Sequence, residues 1–258
     1  MSEAVRLAVD IVFRPWRAMA RLASPASLPA ALLLYGAYLA ASTAFSLWKP
    51  EDFPRIEAEA LGGGPGTNEG LLHWLGVEAY NALLLAVFAA LLVWFLWALA
   101  GKRLWLRVFL SGALTLVPIA LSLAYLTPAP GTPTWPLALV WLALAAGLAP
   151  GLRRADKGLW RPLASLLLAS NAVYLAALPV LAASVLLRSD DLYLTTARGM
   201  ALWLFFLEIY GVSRVSGIQL GRAACALVFA VVCQSCFAHA IFRLGLMSKD
   251  VLKSLLSL

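Results

Sequence analysis

The segment RGMALWLFFLEIYGVSRVSGIQLGR, residues 198–222, combines a strongly apolar run with one acidic residue. The run extends from Met200 to Tyr210 and contains Glu208. A carboxylate near the centre of a membrane span costs roughly 3 kcal/mol on insertion scales, so it needs shelter from lipid. The sequence then predicts a break from Gly211 to Gly217 and a new apolar run from Arg222. We therefore place this segment in a bilayer, with Glu208 as the only acid inside a hydrophobic segment.

The composition of the whole chain is that of a membrane protein. Of its 258 residues, 62% are hydrophobic and 13% are charged, whereas soluble domains are about 25% charged. So few polar residues cannot cover a globule in water, which predicts a protein with several spans. The net charge is +7. Because the basic residues flank apolar runs, membrane topology and anionic lipid headgroups explain this charge better than a nucleic-acid partner does.

The apolar segments predict an all-α fold, a polytopic transmembrane helical bundle of about 5–7 spans over residues 28–246. Residues 1–258 are predicted to form a single integral membrane domain. The count falls to five or six if the sixth segment is re-entrant or if the third and fourth form a half-crossing pair. The seven candidate spans are Leu28–Trp48, Ala79–Ala100, Arg107–Thr127, Trp135–Pro150, Pro162–Leu187, Leu194–Gly211 and Ala223–Phe242.

The segments outside the spans have patterns of their own. Residues 3–22 alternate at helical spacing, which predicts an amphipathic helix in the membrane interface that Pro15 kinks or splits. Lys49–Glu78 is a polar connection that contains the glycine-rich run Gly62–Gly66. We interpret that run as a flexible loop, because it lacks the Gly-Lys-Ser/Thr end of a phosphate loop. Residues 247–258 predict a short interfacial helix.

The basic residues predict the orientation in the membrane. With the N-terminus in the cytoplasm, thirteen of the twenty Lys and Arg residues lie on the cytoplasmic side and seven on the other. This asymmetry favours a cytoplasmic N-terminus and, for an odd number of spans, an external C-terminus. The Ala-, Leu- and Arg-rich composition favours a bacterial inner membrane.

Three stretches resemble the Yip-domain family of integral membrane proteins, the Ypt/Rab-interacting proteins and their relatives. Phe13–Pro25 resembles the family's amphipathic segment, in which one proline is followed by a second before the first span. Arg107–Pro118 resembles its span with a proline in the middle. Leu202–Ala223 resembles its penultimate span, which is followed by a glycine-containing turn and a basic-Ala restart.

The resemblance covers most of the chain and implies a polytopic scaffold or adaptor for membrane organisation or trafficking. The chain resembles a prokaryotic-type member, so a Rab-binding role is not implied. It departs from the family in an extra pair of spans between Pro128 and Leu187. It also lacks the long acidic N-terminal region of the trafficking members.

Glu208 is the first candidate for a functional residue. An ionisable group at depth usually pairs with another group, and Arg198, Arg214 and Asn171 are the predicted partners. A sheltered carboxyl of this kind suits a proton or cation relay. The alternative is that the segment is short or tilted and that Glu208 snorkels or makes a structural hydrogen bond. The depth and surroundings of Glu208 decide between these interpretations.

A second pattern points to helix packing. Ser213, Gly217 and Gly221 follow a small-xxx-small spacing that would form a close-packing face on a continuous helix. The same stretch must also contain a turn, because Met200–Phe242 is too long for one crossing. The two interpretations stay open at this point.

A third pattern has the spacing of a metal site. Cys233, Cys236 and His239 are three residues apart, but on a helix they spiral around the axis and do not converge. Zinc takes four tetrahedral ligands, and the other histidine, His73, lies in the opposite half of the chain. We therefore expect small packing residues here, with no metal and no cofactor.

The chain shows no assembled set of intramembrane catalytic residues. The nearest match to the Gly-x-Ser-Gly motif of rhomboid proteases is Gly211-Val-Ser213-Arg, which fails at the last position. Our first hypothesis is therefore a non-enzymatic scaffold that binds the lipid bilayer and associates with other membrane proteins or with itself. The second is a small transporter or permease subunit, with Glu208, Asn171 and the proline-broken spans along a path.

Overall fold

The computed structural model describes residues 3–22, 24, 27–50, 53–54, 71–101, 103–126, 132–155 and 157–257. Most of these residues are helical and none of them lies in a strand, which confirms the predicted all-α class. The predicted flexible run Gly62–Gly66 lies outside them. The helices are α1 (Glu3–Phe13), α2 (Pro15–Leu22), α3 (Leu28–Trp48), α4 (Leu71–Leu99), α5 (Leu104–Ala124), α6 (Trp135–Arg154), α7 (Lys157–Ser170), α8 (Ala172–Leu186), α9 (Asp190–Ser216), α10 (Leu220–Arg243) and α11 (Lys249–Ser257).

Seven helical segments of the described chain are long and apolar enough to cross a membrane. They are α3, α4, α5, α6, the α7–α8 segment from Gly158 to Leu186, α9 and α10. A hydrocarbon core of ~30 Å needs about twenty apolar residues per helix, and each segment meets that length. The chain is therefore a multi-pass integral membrane protein.

The second span starts earlier than the sequence predicts. Helix α4 begins at Leu71, whereas the prediction placed the start at Ala79. Glu78 consequently lies inside a membrane-length helix, with 7% of its surface exposed. The prediction that Glu208 is the only acid in a hydrophobic segment is therefore wrong. The apolar residues from Leu71 to Val77 continue the helix on the N-terminal side of the acid, so Glu78 does not mark its boundary.

The predicted break at Gly211 is also wrong. Helix α9 runs through Gly211 and ends at Ser216. The turn follows at Gly217, whose φ of +68° is a left-handed conformation that glycine adopts without a Cβ penalty. This turn lies within the stretch in which the sequence required one. Within this continuous helix, side chains of neighbouring helices occupy the space that the missing Cβ of Gly211 leaves.

The fifth span is interrupted at Asn171. Helix α7 ends at Ser170 and α8 begins at Ala172. The Asn171 side-chain amide donates hydrogen bonds to the backbone oxygens of Leu167 and Leu168, at 3.0 and 3.2 Å. These carbonyls belong to the last turn of α7, where the helix itself supplies no donors. The Asn171 side chain therefore supplies hydrogen-bond donors to carbonyl groups at a helix end inside the apolar segment.

The chain divides into two compact units, and the prediction of a single domain over residues 1–258 stays a prediction. In the first unit, α1 packs against α2, α3 and α8, and α3 packs against α8. In the second unit, α10 packs against α5 and α6. The first unit is Met1–Tyr80, Arg161–Val215 and Ser257–Leu258, and the second is Asn81–Trp160 and Ser216–Leu256.

The N-terminal segment forms two helices separated at Arg14, as Pro15 predicts. Asp10 of α1 and Arg21 of α2 form an ion pair with an N–O distance of 2.8 Å, which joins the two helices across the break. Buried apolar residues hold both helices against the rest of the first unit, including Ile11 of α1 and Met19 of α2, which is 2% exposed. The location of these helices in the membrane interface stays a prediction.

We expect Gly211→Leu to destabilise the protein, while Gly199→Leu in the same helix is tolerated. A Cβ at Gly211 would lie 2.6 Å from Leu166 Cδ1 and 2.8 Å from Met19 Sδ, whereas nothing lies within 4 Å of a Cβ at Gly199. Overpacking of a filled core typically costs about 1–3 kcal/mol. Thermal unfolding of both variants in one detergent measures the difference. Equal melting temperatures for the two variants would show that α9 is not packed closely at Gly211.

Candidate functional site

Glu208 lies where α9 faces α7 in the first unit. Its side chain forms a hydrogen bond with the side chain of Ser170, the last residue of α7. One turn further along α9, Gly211 is covered by Leu166 of α7 and by Met19 of α2. Glu208 and Gly211 lie on one face of α9, and Leu166 and Ser170 on one face of α7. The two pairs define an antiparallel contact that α2 closes from one side.

The hydroxyl of Ser170 has two acceptors beside it. It donates to the backbone oxygen of Leu167 at 2.8 Å, and it also bonds the Glu208 carboxyl. A serine hydroxyl has one hydrogen, so it serves one acceptor at a time. Ser170 Oγ therefore donates either to the Leu167 carbonyl or to the Glu208 carboxyl, and α7 and α9 meet at this hydroxyl.

The three predicted partners of Glu208 lie elsewhere. Arg198 is exposed on α9. Arg214 Nε donates to the Tyr210 hydroxyl at 3.2 Å, with the guanidinium 5.2 Å from the centre of the tyrosine ring. Asn171 bonds the end of its own helix. Among the described residues, no hydrogen bond or ion pair joins any of the three to Glu208, so these pairings are wrong.

Sequence reasoning missed Ser170. It chose the larger amide of Asn171, but the side chain of the neighbouring residue is the one that reaches Glu208. The sequence did offer one indication of Ser170, because it places a hydroxyl directly before the helix interruption in an otherwise apolar segment. A one-residue step turns a helical side chain by about 100°, so only a tertiary structure decides which of two neighbours faces α9.

The predicted packing face of Ser213, Gly217 and Gly221 is not continuous. Ser213 lies in α9, Gly217 forms the turn, and Gly221 lies in the first turn of α10. Nothing lies within 4 Å of a Cβ built at Gly217 or at Gly221. The turn interpretation is therefore the one that applies to this stretch.

Small residues pack two other helices, α5 and α10, in the second unit. Thr115 of α5 hydrogen-bonds Cys233 of α10, and a Cβ at Gly112 would meet the Phe229 ring at 3.7 Å. Cys236 is buried on the same helix. Small residues allow two membrane helices to approach closely. No group of three or more possible metal ligands occurs in the described part of the chain.

Glu78 is the second acid inside the bundle, and it belongs to a cluster with tyrosines. Its carboxyl lies near the side chains of Tyr35 and Tyr174. Tyr38 joins the two, since its ring stacks on Tyr35 at 5.9 Å and meets Tyr174 edge-on at 5.2 Å. The cluster links α3, α4 and α8 in the first unit. In the sequence, the apolar stretch before Glu78 indicated that this acid lies inside a helix and not in the connection before it.

Comparisons with protein-family models, curated proteins and solved structures give no match for this chain. The resemblance to the Yip-domain family therefore stays a prediction.

We expect Glu208→Ala and Ser170→Ala each to destabilise the protein, and Glu208→Gln to retain its stability. Glutamine keeps the shape of the side chain and supplies N–H donors for Ser170 Oγ. Interhelical hydrogen bonds in membranes contribute on average about 0.6 kcal/mol in double-mutant cycles. Unfolding of the two alanine variants and the double variant in bicelles measures this coupling. A coupling of zero would show that the two side chains do not interact.

Proposed function

We propose that this protein is a non-enzymatic membrane scaffold or adaptor of the Yip-domain type. In this role it organises the membrane or its traffic through lateral association with other membrane proteins or with a second copy. The observation that carries the proposal is the contact of Glu208 with Ser170. The acid of α9 is engaged in an internal helix contact beside closely packed Leu166 and Met19. Such a contact holds a bundle together, as a scaffold requires.

The outward face of α3 supports lateral association. Gly36, Ala40 and Ala44 are exposed at four-residue spacing, and nothing lies within 4 Å of a Cβ built at Gly36. Leu34 and Phe45 on the opposite face are buried in the bundle. Lipid offers no hydrophobic force between helices, so small residues that let backbones approach are the usual association surface.

The N-terminal helices supply a second contact with the membrane. Phe13 and Trp16 are 72% and 60% exposed beside the break between α1 and α2. Arg14 and Arg17 are exposed next to them. Apolar side chains flanked by arginines are typical of a segment that lies in the headgroup region. In the proposed orientation this segment lies in the cytoplasmic leaflet of a bacterial inner membrane.

We expect Ala40→Leu to weaken association about tenfold or more, while Ala201→Leu leaves it unchanged. Leucine at position 40 separates the helix backbones, and a tenfold loss corresponds to about 1.4 kcal/mol. Ala201 is an exposed alanine of α9 that lies outside the stripe and receives the same added volume. Crosslinking and energy transfer between labelled copies in liposomes measure the association. The scaffold proposal fails if the unmodified protein neither self-associates nor crosslinks to a membrane partner.

The two acids inside the first unit support a second candidate function, a small proton-coupled transporter or permease subunit. Glu208 lies against the Ser170 hydroxyl, and Glu78 lies near Tyr35 and Tyr174, both acids within membrane-length helices. Ionisable residues in spans commonly mark proton or ion pathways. The scaffold is the better supported function, because Glu208 bonds Ser170 and lies one turn from the closely packed Gly211.

A flux assay separates the two functions. Under the scaffold proposal, proteoliposomes with an internal pH dye show the same proton and solute permeability as empty liposomes, and Glu208→Gln changes nothing. A transporter would show solute-dependent flux in the unmodified protein that Glu208→Gln abolishes while folding is retained. That second result would replace the scaffold proposal.

A further inference from the structure

A cavity of about 610 Å³ lies between the end of α4 and the start of α5 in the second unit. Its volume is in the range of about 300–1,000 Å³ that is typical of small-ligand sites. None of the residues predicted from the sequence as functional lines it. Two tryptophans, two arginines and aliphatic side chains form its wall. The lining residues are Trp94, Trp97, Ala98, Arg103, Leu106, Arg107, Leu110 and Ser111.

Arg107 is held in place in this wall. Its Nη1 donates to the backbone oxygen of Ala98 at 2.8 Å, in the last turn of α4. A Cβ at Gly101 would collide with the Arg107 guanidinium, so the absence of a side chain at position 101 leaves room for it. The last carbonyls of a helix have no partners within the helix, and a cation there is also favoured by the helix dipole. The guanidinium is thus positioned before any ligand binds.

A second arginine binds the same helix end. Arg222 Nη1 donates to the backbone oxygens of Leu99 and Gly101, at 3.1 and 3.0 Å. A helix C-terminus carries only about half a negative charge, whereas the two guanidiniums carry a full positive charge each. The end of α4 therefore keeps an excess of positive charge.

Other charges increase this excess. Arg103 lines the cavity and is exposed, and its guanidinium has no hydrogen-bond or ion-pair partner among the residues that the structure describes. None of the described lining residues is acidic. The second unit as a whole contains ten Lys and Arg residues but only two acids. The cavity therefore attracts an anion.

The tryptophans and leucines of the wall indicate an amphiphilic ligand. Trp97 is 39% exposed, and Leu106 and Leu110 are exposed beside it on α5. Trp94 and Trp97 are supported from behind by Gly151 of α6, whose missing Cβ admits the indole rings. Tryptophan at the end of a membrane helix is characteristic of the headgroup level of a bilayer. Two arginines at the headgroup level, next to apolar side chains, suit a ligand in which a phosphate group is attached to acyl chains.

We propose that this cavity binds the phosphate group of an anionic membrane lipid. Arg103 and Arg107 bind the phosphate oxygens, for which the planar guanidinium is suited because it donates paired hydrogen bonds. Trp97, Leu106 and Leu110 contact the start of the acyl chains. The predicted orientation places this end of the helices in the cytoplasmic leaflet, where anionic headgroups give a negative surface potential. Free phosphate shares the same chemistry but lacks the apolar part.

The test uses the full-length protein in nanodiscs of phosphatidylcholine into which phosphatidylglycerol is titrated. Retained lipid is counted by native mass spectrometry, and affinity is measured by displacement of fluorescent phosphatidylglycerol. We expect Arg103→Gln and Arg107→Gln each to weaken binding about tenfold or more, the loss expected for one charge-assisted hydrogen bond. Lys249→Gln is the matched control, since Lys249 is exposed in the same unit but does not line the cavity.

Two further variants distinguish binding at a defined site from a nonspecific effect of positive charge. Arg103→Lys keeps the charge without the planar fork and should restore only part of the affinity. Gly101→Ala keeps every charge but displaces the Arg107 guanidinium, so it should weaken binding as Arg107→Gln does. If Arg107→Gln fails to fold because the end of α4 loses its cap, Arg103→Gln still decides the question.

Two results would overturn the proposal. The first is that Arg103→Gln lowers affinity no more than Lys249→Gln does. The second is that inorganic phosphate displaces the lipid with an affinity equal to that of phosphatidylglycerol vesicles, which would identify free phosphate as the ligand. Selective binding of phosphatidylglycerol that resists phosphate and depends on Arg103 supports the site.

Discussion

The contact between α7 and α9 is the constraint on which the first unit depends. A bilayer core supplies no water to a carboxyl, so an acid in a span must find its partner in the protein. Ser170 provides that partner, and one turn further along α9 the missing Cβ of Gly211 leaves room for Leu166 of α7. Met19 of the N-terminal helices covers the same point. One polar bond and one missing Cβ therefore order α2, α7 and α9 together.

The two units use charge differently. The first contains ten basic and eleven acidic residues, and both acids that lie deep in membrane-length helices, Glu78 and Glu208, belong to it. The second contains ten basic residues and two acids. The positive and negative charges of the first unit are nearly equal in number, and some of them pair within the unit, as Asp10 does with Arg21. The excess in the second unit is available to the membrane surface, where anionic lipids are the abundant counter-charge.

Small residues serve two purposes in this chain. Between α5 and α10, the buried Thr115 and Cys233 and the half-buried Gly112 let the helices pack closely. On α3 the small residues Gly36, Ala40 and Ala44 face outward. The physics of association is the same in both places, because dispersion between close backbones replaces the hydrophobic effect in lipid. A scaffold that recognises other helices would extend its own packing outward in this way.

The sequence by itself determined the membrane class, the all-α fold and the approximate positions of the spans. Hydrocarbon imposes these locally, since each crossing needs its own apolar residues whatever lies beside it. Pro15 likewise predicted the division of the N-terminal helix, because a proline removes its hydrogen bond in any environment. Only the tertiary structure decided that α9 continues through Gly211, that Glu78 lies within α4 and that Ser170, not Asn171, meets Glu208. These outcomes depend on which neighbouring helix fills a space or faces a side chain, and no local pattern encodes that choice.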